Sequence, residues 1–381
     1  MEITSVIGAG FGDEGKGQLV SNLVSSFKTP GSTLVIRFNG GSQAGHTVDY
    51  EGMHHVFSHF GSGTLQGVPT YWSRFCPVYP VRLKYEHSIL KNTSKGSFSP
   101  GYFVEPKIFI DPLAPVTTPY DVIANREFDK KHQYGTCGIG VGQTILRHKI
   151  YKLYYQDIFY PQIFEERLKG IKHFYKDAYF DEAFSSRMNN FMQCIEYIRE
   201  NNLGNQTVFL GQYHNMLFEG AQGILLDKDF GFFPNVTRSN TTCKNIVKIL
   251  EQFGIDKKIN VHYIIRAYQT RHGIGYMSNE NELKLINNEN ETNVTNDYQG
   301  KFRIGLLDIN LLKYALDCDN NLNNKYLESR YLHVSCLNHM QPHPIILHDN
   351  SIKCFDEHLL QKVFPAYNIR IEKLIPMGKV A

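Results

Sequence analysis

The chain has 381 residues, 42% hydrophobic and 13% aromatic, enough to bury a large core in one domain or two. Its 40 Lys+Arg against 37 Asp+Glu leave a formal net charge of +3, which argues against a polycationic nucleic-acid coat and a disordered acidic chain. No apolar run reaches the roughly 18–20 residues of a membrane span, and Met1-Glu-Ile-Thr-Ser lacks the basic start of a signal peptide. Cys76, Cys137, Cys194, Cys243, Cys318, Cys336 and Cys354 stand singly, without a CxxC pair. That argues against a disulfide framework or zinc knuckle and fits a reducing cytoplasm.

Strand-like and helix-like stretches alternate from the start. Ile3–Ala9 is apolar and β-branched, Leu19–Phe27 has helical spacing, and Thr33–Phe38 is a second strand ending in Asn39-Gly40-Gly41. This order predicts a βαβ unit in a mostly parallel central sheet, hence an α/β fold. Residues 151–202 are rich in Lys, Glu, Phe and Tyr with almost no Gly and read as an insertion of two or three helices. Strands are expected again at Thr207–Leu210, Asn215–Phe218, Val261–Tyr268 and Tyr331–Leu337, with a polar loop at Asn287–Asn296. With no repeat and no Pro/Ser-rich linker, residues 1–381 read as one large domain.

Two glycine-rich loops carry the chemistry. Gly10-Phe-Gly12-Asp13-Glu14-Gly15-Lys16-Gly17 follows the first strand and opens the first helix. Its glycines let backbone N–H groups approach phosphate oxygens, and Lys16 can reach a terminal phosphate. Gly17 stands where this P-loop-like spacing normally has a magnesium-holding Ser or Thr, so Asp13 is the nearest hard oxygen ligand. The second loop, Asn39 to Thr47, carries Gln43, Gly45 and His46 at the expected carboxyl end of a parallel strand, where open α/β sheets bind ligands.

Gly12-Asp-Glu-Gly-Lys-Gly17 with Ala44-Gly-His-Thr47 resembles the adenylosuccinate synthetase family. Gly135-Thr-Cys-Gly-Ile-Gly140, Phe218-Glu-Gly-Ala-Gln-Gly223 running on to Leu-Leu-Asp227, Pro234-Asn-Val-Thr-Arg-Ser-Asn-Thr-Thr242, Ala267-Tyr-Gln-Thr-Arg-His-Gly-Ile-Gly275 and Gly300-Lys-Phe-Arg-Ile-Gly-Leu-Leu-Asp308 agree in order. The resemblance implies a magnesium-dependent carbon–nitrogen ligase. A nucleoside triphosphate phosphorylates O6 of a purine nucleoside monophosphate, and L-aspartate displaces that phosphate. It implies Asp13 as base and metal ligand, the Gly45 carbonyl as second metal ligand, His46 at the transferring phosphoryl group and Lys16 as phosphate clamp. Gly12, Glu14, Gly15, Gly17 and Thr47 would complete the donor site. Gln222 and Thr237 would touch the purine and phosphate of the substrate, with Gln43, Thr136 and Cys137 nearby. Arg147 would reach the neighbouring subunit's nucleotide, which implies a homodimer.

The departures from the family shape the expected substrates. Its donor is GTP, read by a Lys-x-Asp pair, where this chain has Cys336 and Asn338. An Asn amide both donates and accepts and so tolerates adenine, which favours ATP or dATP over GTP. The segment ending in Gly378, near the donor base, has drifted as well. Arg238 interrupts the family's Val-Thr-Ser-Ser-Asn run. The aspartate loop, Gln299-Gly300-Lys301-Phe-Arg303, is one residue short, leaving Lys301 and Arg303 for the aspartate carboxylates. These changes resemble a divergent bacteriophage branch that ligates aspartate to dGMP, which would place the protein in the host cytoplasm. Some members of that branch lack the loop aspartate, so Asp13 keeps IMP with GTP as the alternative. A non-catalytic nucleotide-binding protein is the second alternative, opposed by the joint presence of Asp13, Lys16, His46 and Gln222. Nucleic acid and membrane partners have no sequence support.

Overall fold

A computed structural model describes residues 1–27, 30–96, 105–132, 135–176, 182–286, 300–341 and 343–372. In the first half, β1 (Glu2–Gly8), α1 (Lys16–Ser26) and β2 (Thr33–Arg37) form the expected opening unit. An antiparallel hairpin of β3 (His46–Tyr50) and β4 (Met53–Phe57) follows. Then come β5 (Thr70–Trp72), α2 (Pro80–Gly96), β6 (Ile108–Ile110), α3 (Pro119–His132) and α4 (Val141–His148). The helical insertion holds α5 (Pro161–Tyr175) and α6 (Glu182–Glu200).

The second half returns to the sheet with β7 (Asn215–Gly223), α7 (Lys244–Gln252), β8 (Ile259–Arg266) and β9 (Tyr268–His272). It closes with β10 (Phe302–Asp308), α8 (Ile309–Asn323), β11 (Leu327–Ser335), β12 (Ile345–His348), β13 (Ser351–Cys354), α9 (Glu357–Val363) and β14 (Asn368–Ile371). Eight strands form one sheet in the order β14-β11-β8-β1-β7-β2-β5-β6, with every pairing parallel. A smaller mixed sheet runs β13-β12-β10-β9.

β1 is apolar on both faces because both are covered, as parallel sheets require. Val6 packs with Leu19, Val20 and Val24 of α1, while Ile3 and Ile7 face a core shared with α7 and α8. A third cluster sits under β5, β6, α2 and the helical insertion. Because all eight strands run the same way, the loops after β1, β2, β7, β8 and β11 emerge at one edge. That edge carries the site.

Two expectations about elements change. Thr207–Leu210 is not a strand: Phe209 is 73% exposed and Leu210 begins a short 3-10 turn, so the β-branched run has no sheet neighbour to bury it. Val261–Tyr268 divides into β8 and β9, which pair in different sheets. The polar loop expected at Asn287–Asn296 lies outside the described residues. No described helix is long and apolar enough to cross a membrane.

Candidate active site

The loops at the carboxyl edge enclose a cavity of about 1210 Å³. Gly12 to Gly17 line its floor, Gln43 to Thr47 one wall, Thr136, Cys137, Gln222 and Thr237 another, and Cys336 one end.

Within the phosphate loop, Glu14 is a structural member. Its carboxylate accepts from the backbone N–H of Gly10 (3.1 Å) and Gly12 (2.8 Å) and pairs with Lys16, and both charged side chains are almost wholly buried. Asp13 takes a left-handed φ of 61°, uncommon for a residue other than glycine and most often retained where function needs it. Gln222 does the same with φ 56°. Burial pushes the Asp13 carboxyl above the usual range, against the opposing charges of His272, Arg266 and Lys16. His272 Nε2 lies 3.4 Å from Asp13 Oδ2, and Arg266 donates to the Asp13 carbonyl.

Gly17 explains why the usual Ser or Thr is missing. A Cβ there would come within 2.8 Å of His46 Cβ and 3.1 Å of Ser62 Oγ. The first turn of α1 needs a bare backbone to let β3 bring His46 against the loop.

His46 Nδ1 hydrogen-bonds Glu219 of β7, and Ser62 donates to the same carboxylate through its N–H (2.9 Å) and its hydroxyl. Burial lowers the His46 pKa, and the wholly buried Arg37 lowers it further. Burial alone would raise Glu219, but the charge His46 carries once protonated, the charge of Arg37 and the hydrogen bonds from His46 and Ser62 outweigh it and hold the carboxyl at about 2. Beside a neutral His46 the permanent charge of Arg37 and the donors of His46 and Ser62 keep Glu219 ionised. A carboxylate at Nδ1 fixes the tautomer, with the proton on that nitrogen.

The Thr136–Cys137 side of the second wall hangs on α3. Asn125 accepts from Gly140 N–H (3.0 Å) and bonds the Thr136 hydroxyl (3.0 Å), Asp129 accepts from Thr136 N–H (3.1 Å), and Arg126 donates to the Gly138 carbonyl (3.1 Å). Gly140 has φ 87°, and a Cβ there would strike the backbone of α3 at 2.8 Å. Burial pushes the Cys137 thiol up to about 11, so it stays neutral.

Five residues expected at the site do not line the cavity: Arg147, Asn338, Gly300, Lys301 and Arg303. Arg147 does not line the cavity; its guanidinium is buried and bonded to Asp121 (2.8 and 3.2 Å), the Tyr151 carbonyl (3.0 Å) and the Val116 carbonyl (2.7 Å). The helical insertion needs that buried strut, because Tyr175 of α5 meets the same carboxylate at 2.9 Å. Asn338 is exposed and does not line the cavity; Cys336 and His339, on either side of it, do. A left-handed residue at Cys336 (φ 61°) opens a 3-10 turn that presents His339. Gly300 and Lys301 are exposed outside the lining. Arg303 is bonded to the carbonyls of Gly273 (3.1 Å) and Gly275 (2.8 Å) and paired with Glu280. Gln299 and Gly378 lie outside the described residues.

Several lining residues had no role assigned from sequence. Arg271, opposite Arg303 in the β9–β10 register, lines the cavity with its guanidinium 4.5 Å from the Phe11 ring. Burial and Arg303 lower its pKa to about 10. Arg266, His272, Arg238 and His339 line the cavity as well. Each lies within or beside a motif, but which way its side chain faces is settled only by strand register.

The family model described as adenylosuccinate synthetase matches residues 5–328. The chain belongs to the adenylosuccinate synthetase family. It is 29% identical over 353 residues to the adenylosuccinate synthetase of Hydrogenobaculum sp. (strain Y04AAS1), covering 84% of this chain and 76% of that one. It is 30% identical over 330 residues to that of Picrophilus torridus, covering 82% and 73%. Among solved structures, the fully ligated adenylosuccinate synthetase of Plasmodium falciparum superposes with a TM-score of 0.67 at 21% identity, covering 89% of this chain and 77% of that one. The cyanophage S-2L succinoaminodeoxyadenylate synthetase, bound to dGMP and dATP as an energy donor, gives 0.57 at 14%, covering 97% and 91%. Both share the fold. As a member of the adenylosuccinate synthetase family, the chain is a carbon–nitrogen ligase.

Proposed function

We propose that this synthetase joins L-aspartate to C6 of dGMP, with ATP or dATP as phosphoryl donor. The observation that carries the donor half is the Cys336–His339 end of the cavity. Cys336 and His339 line the cavity from the segment where the family reads guanine with its Lys-x-Asp pair, and neither offers a carboxylate to accept from the N1–H and 2-amino group of guanine. The cyanophage enzyme of the same fold, described with dGMP and dATP bound, accords with this reading. IMP with GTP is the second reading. The adenylosuccinate synthetase relatives and the presence of Asp13 favour it.

In either case Asp13, on the cavity floor with its carboxyl raised by burial, accepts the N1 proton and makes O6 nucleophilic. His46, oriented by Glu219, faces the transferring phosphoryl group. The negative phosphates of bound nucleotides favour its protonated form, which keeps one N–H on Glu219 and presents the other to the reacting oxygens. Lys16, held by Glu14, supplies positive charge beside the phosphates. The donor set suits magnesium rather than a protein-only metal cage, since no cluster of three or more His, Cys, Asp or Glu that could hold a metal occurs among the described residues. Asp13 and the Gly45 carbonyl would share the ion with substrate phosphates, where it neutralises charge on them. Arg271, whose Nε has no partner while its other nitrogens donate to the carbonyls of Tyr276 and Asn235 (2.9 Å each), is the candidate for an aspartate carboxylate in place of Arg303. With Arg147 buried, the homodimer rests on family resemblance alone.

The deciding experiment is a two-by-two turnover assay with L-aspartate and magnesium, IMP or dGMP against GTP or dATP, scoring the succinylated product. Turnover of dGMP with dATP is expected. Turnover of IMP with GTP alone would replace this reading by the second.

A further inference from the structure

We propose that Arg238 is a phosphate-binding residue of this enzyme, gripping the 5′-phosphate of the purine nucleoside monophosphate. The inference rests on the reading that the Thr136–Thr237 side of the cavity takes that nucleotide, and it is indifferent to whether the purine is guanine or hypoxanthine.

Arg238 directly follows Thr237, and both line the cavity. Its stem lies against the first turn of α4: a Cβ on Gly142 would meet Arg238 Cδ at 3.5 Å and Nε at 3.6 Å. The guanidinium thus lies beside the helix start, in the cavity that Thr136 and Cys137, held in place by α3, also line. Among the described residues no ion pair engages Arg238. Asp121 pairs with Arg147 and Glu14 with Lys16, and no ion pair or hydrogen bond joins Asp13 or Asp129 to Arg238 among the described residues.

A phosphate monoester is a dianion near neutral pH, and its recognition requires fixed donors and positive charge. The walls here offer neutral groups in Thr136, Cys137 and Thr237, and the arginine expected to supply the charge, Arg147, is locked inside the protein. Lys149 and Lys228 also line the cavity and add to the local field. Arg238 alone combines a place beside Thr237 with a planar fork that can bind two phosphate oxygens at once.

The test is equilibrium binding of dGMP, IMP and the matching nucleosides to the full-length enzyme and to Arg238→Ala, Arg238→Gln, Arg238→Lys, Lys149→Ala and Lys228→Ala. Losing a charged, hydrogen-bonded phosphate contact should weaken both monophosphates about ten- to a hundredfold in Arg238→Ala. The ratio of monophosphate to nucleoside affinity should fall by the same factor, and Arg238→Lys should keep part of it. Arg238→Gln, similar in length but uncharged, serves if the alanine variant does not fold. An unchanged ratio in Arg238→Ala or Arg238→Gln overturns the proposal, as does a loss found only in Lys149→Ala or Lys228→Ala. If the unaltered enzyme binds neither monophosphate more tightly than its nucleoside, the nucleotide reading falls and this inference with it. A preference between dGMP and IMP bears only on the former.

Discussion

Nη2 of Arg147 lies 2.8 Å from Oδ2 of Asp121, and neither side chain is exposed to solvent. The pair joins the end of α4 to the start of α3, and the same two helices carry the Gly135–Gly140 loop between them. Removing one partner of a buried pair leaves an uncompensated charge, so Arg147→Ala should lose about 3–5 kcal/mol of stability in urea unfolding. An arginine reaching a neighbouring subunit's phosphate would give the opposite pattern: intact stability and weakened nucleotide binding.

The contact between α1 and β3 makes a second prediction. Gly17→Ser restores the hydroxyl common to phosphate loops of this spacing, yet its Cβ would lie 2.8 Å from that of His46. Displacing His46 from Glu219 should cut turnover about a hundredfold or more, within the range general acid–base groups contribute. Turnover equal to that of the unaltered enzyme would show that the close approach is not needed.

Donor selectivity should follow His339 rather than Asn338. His339 lines the cavity and bonds the Tyr268 hydroxyl through Nδ1 at 3.1 Å, whereas Asn338 is exposed. His339→Ala should raise the KM for the triphosphate donor about tenfold, the loss expected for one hydrogen-bonding contact. Asn338→Asp should leave the ATP-to-GTP preference within a factor of about two. A shift toward GTP in Asn338→Asp would return the base contact to residue 338.

Acid should destabilise the fold in two stages. Burial, then His333 and Arg370, depress His262 from 6.5 to about 3, so the folded state holds it neutral. The unfolded chain binds that proton from pH 6.5 downward, and stability is lost as pH falls toward 3. Glu219 is held at about 2 against an ordinary 4.5, so its contribution is present above pH 4.5 and lost as pH falls toward 2. The melting temperature should therefore decline from about pH 6.5 downward. His262→Phe, which keeps the stack on Tyr331, should flatten only the upper stage. An unaltered profile in that variant would remove His262 as the cause.

The strands Ile3–Ala9 and Thr33–Phe38, the helix after Gly15 and the two glycine loops were legible because each is a local pattern. Apolar runs covered on both faces, helical spacing and glycines at turns act over a few residues. The same holds for Asp13, Lys16, His46 and Gln222, which sit inside or beside those loops and line the cavity as their positions imply. The Thr207–Leu210 run shows the limit, since β-branched residues make a strand only where a sheet offers a neighbour.

Sequence alone determined the α/β class, the family motifs and the loop residues that line the cavity, because backbone geometry and glycine placement are fixed locally. Tertiary structure decided which charges reach the cavity. Arg147 and Arg303 fold into hydrogen-bonded struts off the cavity, Arg271 bonds two carbonyls and still lines it, and Arg238, His272 and His339 line it as well. A cationic side chain carries no local signal of its partner. Whether it meets a buried carboxylate or an open pocket depends on helices and strands brought together from distant parts of the chain.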